Sequence, residues 1–233
     1  MTPSFLDLPA AADLIADGDR IGVGGALFSR LPLALVGELA RRKRRDLTYV
    51  TWGGGLPLEL LLQAEAVRKV VFCFSSLDVF GLAPRFRRAL EEGLVEVEEL
   101  PALAMAQGFD AALQRLPSLP FQLPVGSDIL DRSSLTRISS DPVAGVPLGS
   151  AAALQLDSFL LHAQRADVAG NVELTGALGM DLTAPFAARN LVVSVEEIVP
   201  AGTLQAERRG HVIPHHFVRS IVECPLARAV EEA

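Results

Sequence analysis

The chain has 233 residues, enough for one large α/β domain or two small ones with a sizeable core, and half of them are hydrophobic. No apolar run approaches the roughly 18 residues that span a bilayer, and a net charge of -7 argues against nucleic acid as the main partner. Cys73 and Cys224 neither require nor suggest a disulfide, and the opening residues show no basic or apolar leader, so the expectation is a cytoplasmic protein without membrane association.

Asp17 and Gly18 close a first helix-like stretch. Residues 20–23 read as a buried strand, Gly24 and Gly25 open a tight turn, and Pro32 suits the first position of a helix with Leu35, Val36 and Leu39 inside. The basic run 41–45 falls in that helix's last turn, where cations complement the dipole. Further strands are expected at 47–51, 70–74, 95–98 and 121–123, with helices opened by Pro84 and closed by Gly93, and opened by Pro101 and reaching about Leu116. This alternation points to an open, mainly parallel sheet with helices on both faces. Residues 126–156, rich in Ser, Asp, Pro and Gly, read as irregular. A strand at 158–163, a turn at Gly170-Asn171, a short helix at 183–189 and strands at 191–195 and 217–222 complete a single expected domain, 1–233.

The junction after residues 20–23 belongs at a strand's carboxyl end, where open α/β sheets bind ligands. Glycines allow close approach to the backbone, and Ser29 and Arg30 offer a hydroxyl and a planar cation suited to a carboxylate or phosphate. The equally weighted alternative is an ordinary strand-to-helix turn. The dinucleotide fingerprint fails because Leu27 stands where its third glycine belongs, and no Gly-Lys-Ser/Thr exists for a phosphate loop. Ser75, Ser76 and Asp78 follow another strand and belong at the same edge, lining a pocket or capping the next helix. His211, His215 and His216 lack the spacing of a zinc site, so no metal is expected and a subunit-contact strand is preferred. Glu91, Glu92, Glu96, Glu98 and Glu99 read as a solvated edge.

Several segments, in this order, resemble the alpha subunit of family I coenzyme A transferases, especially the glutaconate CoA-transferase branch. They are Asp17-Gly18 with Gly24-Gly25-x-x-x-Ser29-Arg30-x-Pro32, then the run 80–89 from Phe80-Gly81-Leu82 onward, then Gly126-Ser127-Asp128-Ile129-Leu130. Ala166-Asp167-x-x-Gly170-Asn171 and Val193-Ser194-Val195-Glu196-Glu197-Ile198 follow. The resemblance implies a fold shared with sugar-phosphate isomerases and a heterodimer or heterotetramer with a beta subunit. It also implies CoA transfer between an acyl-CoA and a short dicarboxylic or keto acid, with coenzyme A as substrate and no other cofactor. The nucleophilic glutamate of this family lies in the beta subunit on a Ser-Glu-x-Gly-like strand end; no such pattern occurs here, so no catalytic residue is assigned and the chain alone is expected to be inactive.

The implied contribution of this chain is half of the pocket. Backbone N–H groups of Gly24 and Gly25 would face the acyl oxygen, and Ser29 and Arg30 would bind the acid's remote carboxylate, with Ala26, Phe28, Trp52, Gly53, Gly54, Ser75, Ser76 and Ala102 as further substrate contacts. Two positions depart from the signature, Ala26 replacing its phenylalanine and Arg30 its later glycine. Ala102 stands where succinyl-CoA transferases place a glutamine and ring-opening hydrolases an acid. Hydrolysis or ring opening of an acyl-CoA, and a non-catalytic binding role, are the alternative functions.

Overall fold

A computed structural model describes residues 2–123 and 128–225, so Gly126 and Ser127 of the motif above lie outside it. In chain order the elements begin with β1 (Ser4–Phe5), α1 (Leu8–Ala12), β2 (Arg20–Val23), α2 (Leu33–Arg41), β3 (Leu47–Gly54) and α3 (Leu56–Gln63). Next come β4 (Val67–Ser75), α4 (Pro84–Glu91), β5 (Glu96–Glu99), α5 (Ala102–Leu113), β6 (Ser118–Phe121), α6 (Ile129–Arg132), β7 (Thr136–Ser140) and β8 (Pro147–Ala152). The last are β9 (Leu156–Asp167), β10 (Val172–Leu174), β11 (Ala188–Val199), α7 (Thr203–Glu207), β12 (His211–Ile213) and β13 (Val218–Glu223).

The main sheet runs β1-β13-β11-β9-β2-β3-β4-β5, every neighbouring pair parallel, with β10 antiparallel to both β9 and β12. Its two halves meet where β2 pairs β9, Ile21 opposite Ser158. Strands buried on both faces explain the continuous apolar runs that the sequence shows. One face packs Ile21, Tyr49, Val70 and Leu160 under α1 to α4, and the other packs Val50, Val71, Phe159 and Val193 under Met105 and Phe109 of α5. Each such side chain, fully buried, contributes about 1.5–3 kcal/mol.

Helix starts follow local chemistry. Asp7 caps α1 by accepting from the Ala10 N–H at 2.8 Å. No side chain of its own caps α4; instead Glu59 of α3, buried, accepts from the Arg85 and Phe86 N–H groups at 2.9 and 2.8 Å. The basic run after α2 is spent locally, Arg41 and Arg42 on Glu38, and Arg42 and Arg44 on Asp13.

Four expectations need correction. The strand placed at 121–123 is β6, and it belongs to a separate antiparallel sheet, β6-β8-β7, because residues 136–152 form a hairpin rather than an irregular stretch. Asp141 organises its turn, accepting from the Val143 and Ala144 N–H groups. The helix placed at 183–189 is two short 3-10 turns, Gly179–Leu182 and Ala184–Ala187, after which β11 begins. Residues 52–54, read as the start of a turn, continue β3, since Gly53 and Gly54 make room for Phe74 and Ser75 of β4. On β5 the expected polar face is inverted: Val97 is 46% exposed and Glu98 is buried, held by the Ser133 and Ser134 hydroxyls, the Ser134 N–H and Lys69.

Candidate active site

The carboxyl ends of β2, β3 and β4 lie side by side, and the loops that leave them surround a cleft lined by Gly24, Gly25, Phe28, Trp52, Gly53, Gly54 and Ser76. Leu31, Tyr49, Phe74, Leu77 and the first residues of α3 complete its wall. The aromatic part is interlocked: Trp52 meets Phe74 edge-to-face with centroids 5.0 Å apart, and Phe28 meets Phe80 likewise at 5.5 Å. Gly55, at the N-terminus of α3, offers no side-chain cap, so that end of the helix presents its positive dipole to the cleft.

The loop after β2 is set by internal hydrogen bonds. The Gly24 N–H donates to the Leu160 carbonyl at 2.9 Å, and the Gly25 N–H donates to both carboxylate oxygens of Asp181 at 3.1 Å. Ala26 and Ser29 exchange a pair of backbone bonds at 3.0 and 2.8 Å, with Leu27 and Phe28 at the tip. The expectation that the Gly24 and Gly25 N–H groups face a ligand is therefore corrected, because both are committed to protein acceptors. Among the described residues, the loop amides without a protein acceptor are those of Leu27 and Phe28.

Arg30 is also not where the sequence suggested. Its side chain is 2% exposed, Nη1 donates to Asp181 Oδ2 at 2.5 Å, and Nη2 donates to the Ala177 carbonyl. The guanidinium is turned into the protein and is not offered to a substrate carboxylate. Ser29 is exposed on the loop and Ala26 packs toward Gly179, both off the cleft wall. Ser75 lies behind Gly54 with its hydroxyl buried and unpartnered, while Ser76 both lines the cleft and accepts from the Asp78 N–H at 3.2 Å, fixing the turn that follows. Ala102 sits exposed at the start of α5 and is not part of this wall.

Asp181 escaped the sequence reading. It lies 151 positions from Arg30 and inside a short turn, and no local pattern announces it. Burial pushes its pKa up, with Arg30 and the Gly25 N–H opposing. His162 on β9 was also missed: its Nδ1 is 2.9 Å from the Ser194 hydroxyl and its Nε2 3.5 Å from Glu196. Burial pushes its pKa down against the pull of Glu196, which leaves the imidazole uncharged at neutral pH. Among the described residues no group of three or more His, Cys, Asp and Glu could hold a metal; His211 pairs within β12, and the His215 N–H donates to Asn171.

A family model described as coenzyme A transferase matches residues 8–224. The chain is 30% identical over 220 residues to the alpha-type chain of 3-oxoadipate CoA-transferase from Pseudomonas knackmussii, covering 93% of this chain and 77% of that one. It is 34% identical over 230 residues to the cholesterol ring-cleaving hydrolase IpdA subunit of Rhodococcus jostii, covering 94% and 77%. It spans about half the length, 49%, of a similar protein of Archaeoglobus fulgidus at 32% identity over 94% of this chain. The crystal structure of glutaconate coenzyme A-transferase from Acidaminococcus fermentans superposes with a TM-score of 0.89 at 25% identity, over 97% of this chain and 77% of that one. With the parallel sheet, the glycine loop at its carboxyl edge and the family match over nearly the whole length, this chain belongs to the coenzyme A transferase family, as one of its alpha subunits.

Proposed function

We propose that this chain, as one alpha-subunit domain over residues 1–233, supplies one wall of an acyl-CoA site and that a beta subunit supplies the nucleophile, in a heterodimer or heterotetramer. The observation that carries the reading is the cleft itself. Its wall is backbone and aromatic surface at the carboxyl edge of β2, β3 and β4, and the one ionisable carboxylate among its described lining residues, Asp78, is exposed to water. Such a wall suits binding and charge stabilisation more than covalent attack.

The reaction then proceeds in balanced steps. A glutamate carboxylate of the partner attacks the thioester carbonyl and releases CoA thiolate, leaving a mixed anhydride. The thiolate attacks the glutamyl carbonyl of that anhydride, frees the first acid and forms a glutamyl-CoA thioester; a second carboxylate reverses both steps. Oxyanions arise at each attack, and the Leu27 and Phe28 amides and the N-terminus of α3 are this chain's available donors. Coenzyme A is substrate here, and the acids are short carboxylic acids. A cytoplasmic location is supported by Cys73 and Cys224 both being free thiols.

Hydrolysis is the second reading, favoured by the 34% identity to a hydrolase subunit. The complex with its beta subunit, incubated with acyl-CoA with and without an acceptor acid and then trapped with hydroxylamine or borohydride, separates the possibilities. Transfer requires acceptor-dependent CoA exchange and a modified glutamate on the partner. Equal CoA release without acceptor selects hydrolysis, and turnover or a label on this chain alone overturns the proposal.

A further inference from the structure

Asp181 is 1% exposed and holds both ends of the loop that forms the cleft wall. Its carboxylate accepts from the Gly25 N–H at the loop's start and from the Arg30 guanidinium at its end, and Arg30 is tied again to the Ala177 carbonyl of the segment that carries Asp181. The fit is close, because a Cβ on Gly24 would stand 2.6 Å from Asp181 Oδ1. The loop does not hold this shape by its own preference: Leu27 and Arg30 both adopt left-handed conformations, with φ of 54° and 56°, which L-residues disfavour. An outside anchor is needed, and the buried carboxylate is it.

We infer that Asp181, paired with Arg30, is the positioning residue of this site, fixing the 24–30 loop so that the Leu27 and Phe28 amides and the Phe28 ring stand at the correct depth against the Trp52 wall. Asp181 itself touches no substrate. The inference rests on the transferase reading for its catalytic consequence, but its structural half does not.

The test uses three forms of this chain, each in complex with the beta subunit: wild type, Asp181→Asn, and the double variant Asp181→Asn with Arg30→Met. Asp181→Asn keeps the volume and one acceptor but removes the charge that Arg30 needs. The double variant is neutral on both sides and relieves the buried unpaired cation, so its melting temperature lies above that of Asp181→Asn. If Asp181 positions the loop, kcat falls by about tenfold or more in both variants while the KM for the CoA ester changes by less than about threefold, and the recovered stability of the double variant does not restore kcat. A purely structural role would restore kcat along with stability. A kcat within about twofold of wild type in either folded variant overturns the inference. Hydrogen exchange on the isolated chain separates this from a failure of the transferase reading. The Gly25 amide should exchange about tenfold or more faster in Asp181→Asn than in wild type, and unchanged exchange overturns the inference even if the wild-type complex turns over nothing.

Discussion

Two glycines share nearly the same left-handed backbone but differ in what surrounds them, which makes their alanine variants a controlled pair. Gly81, at φ 93°, has no atom within 4 Å of an added Cβ. Gly81→Ala therefore meets only the left-handed penalty, about 1–2 kcal/mol, less about 0.4–1 kcal/mol gained because alanine restricts the unfolded chain. Gly25, at φ 95°, carries the same terms, but its Cβ would lie 2.7 Å from the Ser29 and Arg30 carbonyl oxygens. Those are backbone atoms, held by the Ala26–Ser29 pair and by the Arg30 anchor, so they have little room to retreat. Overpacking of this kind adds about 1–3 kcal/mol. Gly25→Ala should thus be less stable than Gly81→Ala by about 1–3 kcal/mol, with an unchanged denaturant slope. Urea unfolding followed by circular dichroism and by the emission of the chain's single tryptophan, Trp52, measures both. Equal stabilities within about 0.5 kcal/mol would refute the view that the loop is pinned against itself.

Two further outcomes are expected. Burial, with the Glu99 charge second, pushes the Cys73 thiol up to about 12, so at pH 8 a thiol reagent should label the Cys73 peptide about two to three orders of magnitude more slowly in the native protein than in urea. Labelling at the free-thiol rate in the native state, read by mass spectrometry, would contradict this. For Glu98, burial raises the pKa but hydrogen bonds from Ser133, Ser134 and Lys69 outweigh it, leaving the folded value below the unfolded one. Its contribution is then complete above the unfolded carboxylate pKa, about 4.3, and is lost as pH falls through the lower folded value. Glu98→Gln should flatten this part of the acid limb of the stability curve. An unchanged limb would remove Glu98 as its cause.

The parts of the fold that could be read from sequence were those with strong local punctuation. Residues 20–23 form β2 without adjustment, and the prolines at 32, 84 and 101 stand at or next to the starts of α2, α4 and α5, because proline pre-sets the helical φ where no N–H is required. The β7–β8 hairpin was illegible because its strands, Thr-Arg-Ile-Ser-Ser and Pro-Leu-Gly-Ser-Ala-Ala, carry too few apolar residues to alternate. Glu98 misled for a different reason: period-two alternation says which residues share a face, not which face is covered, and the serines of the 133–134 segment cover the polar one. At the site, the glycine loop and the Trp52-Gly53-Gly54 strand end announced themselves by composition. The fate of Arg30 did not, since whether a guanidinium faces a ligand or a buried carboxylate depends on a partner 151 positions away.

The seam between β2 and β9 bears on how the chain is made. Arg20 donates its N–H to the Asp157 carboxylate 137 positions later, and β2 has no neighbour on that side until β9 exists. At ribosomal speeds of about 5–20 residues per second, β2 to β5 can pair while the inner edge of β2 stays bare for on the order of ten seconds. A nascent chain paused before β9 thus presents a ready template for edge-to-edge aggregation, so the centre of the finished sheet is the most vulnerable surface during synthesis.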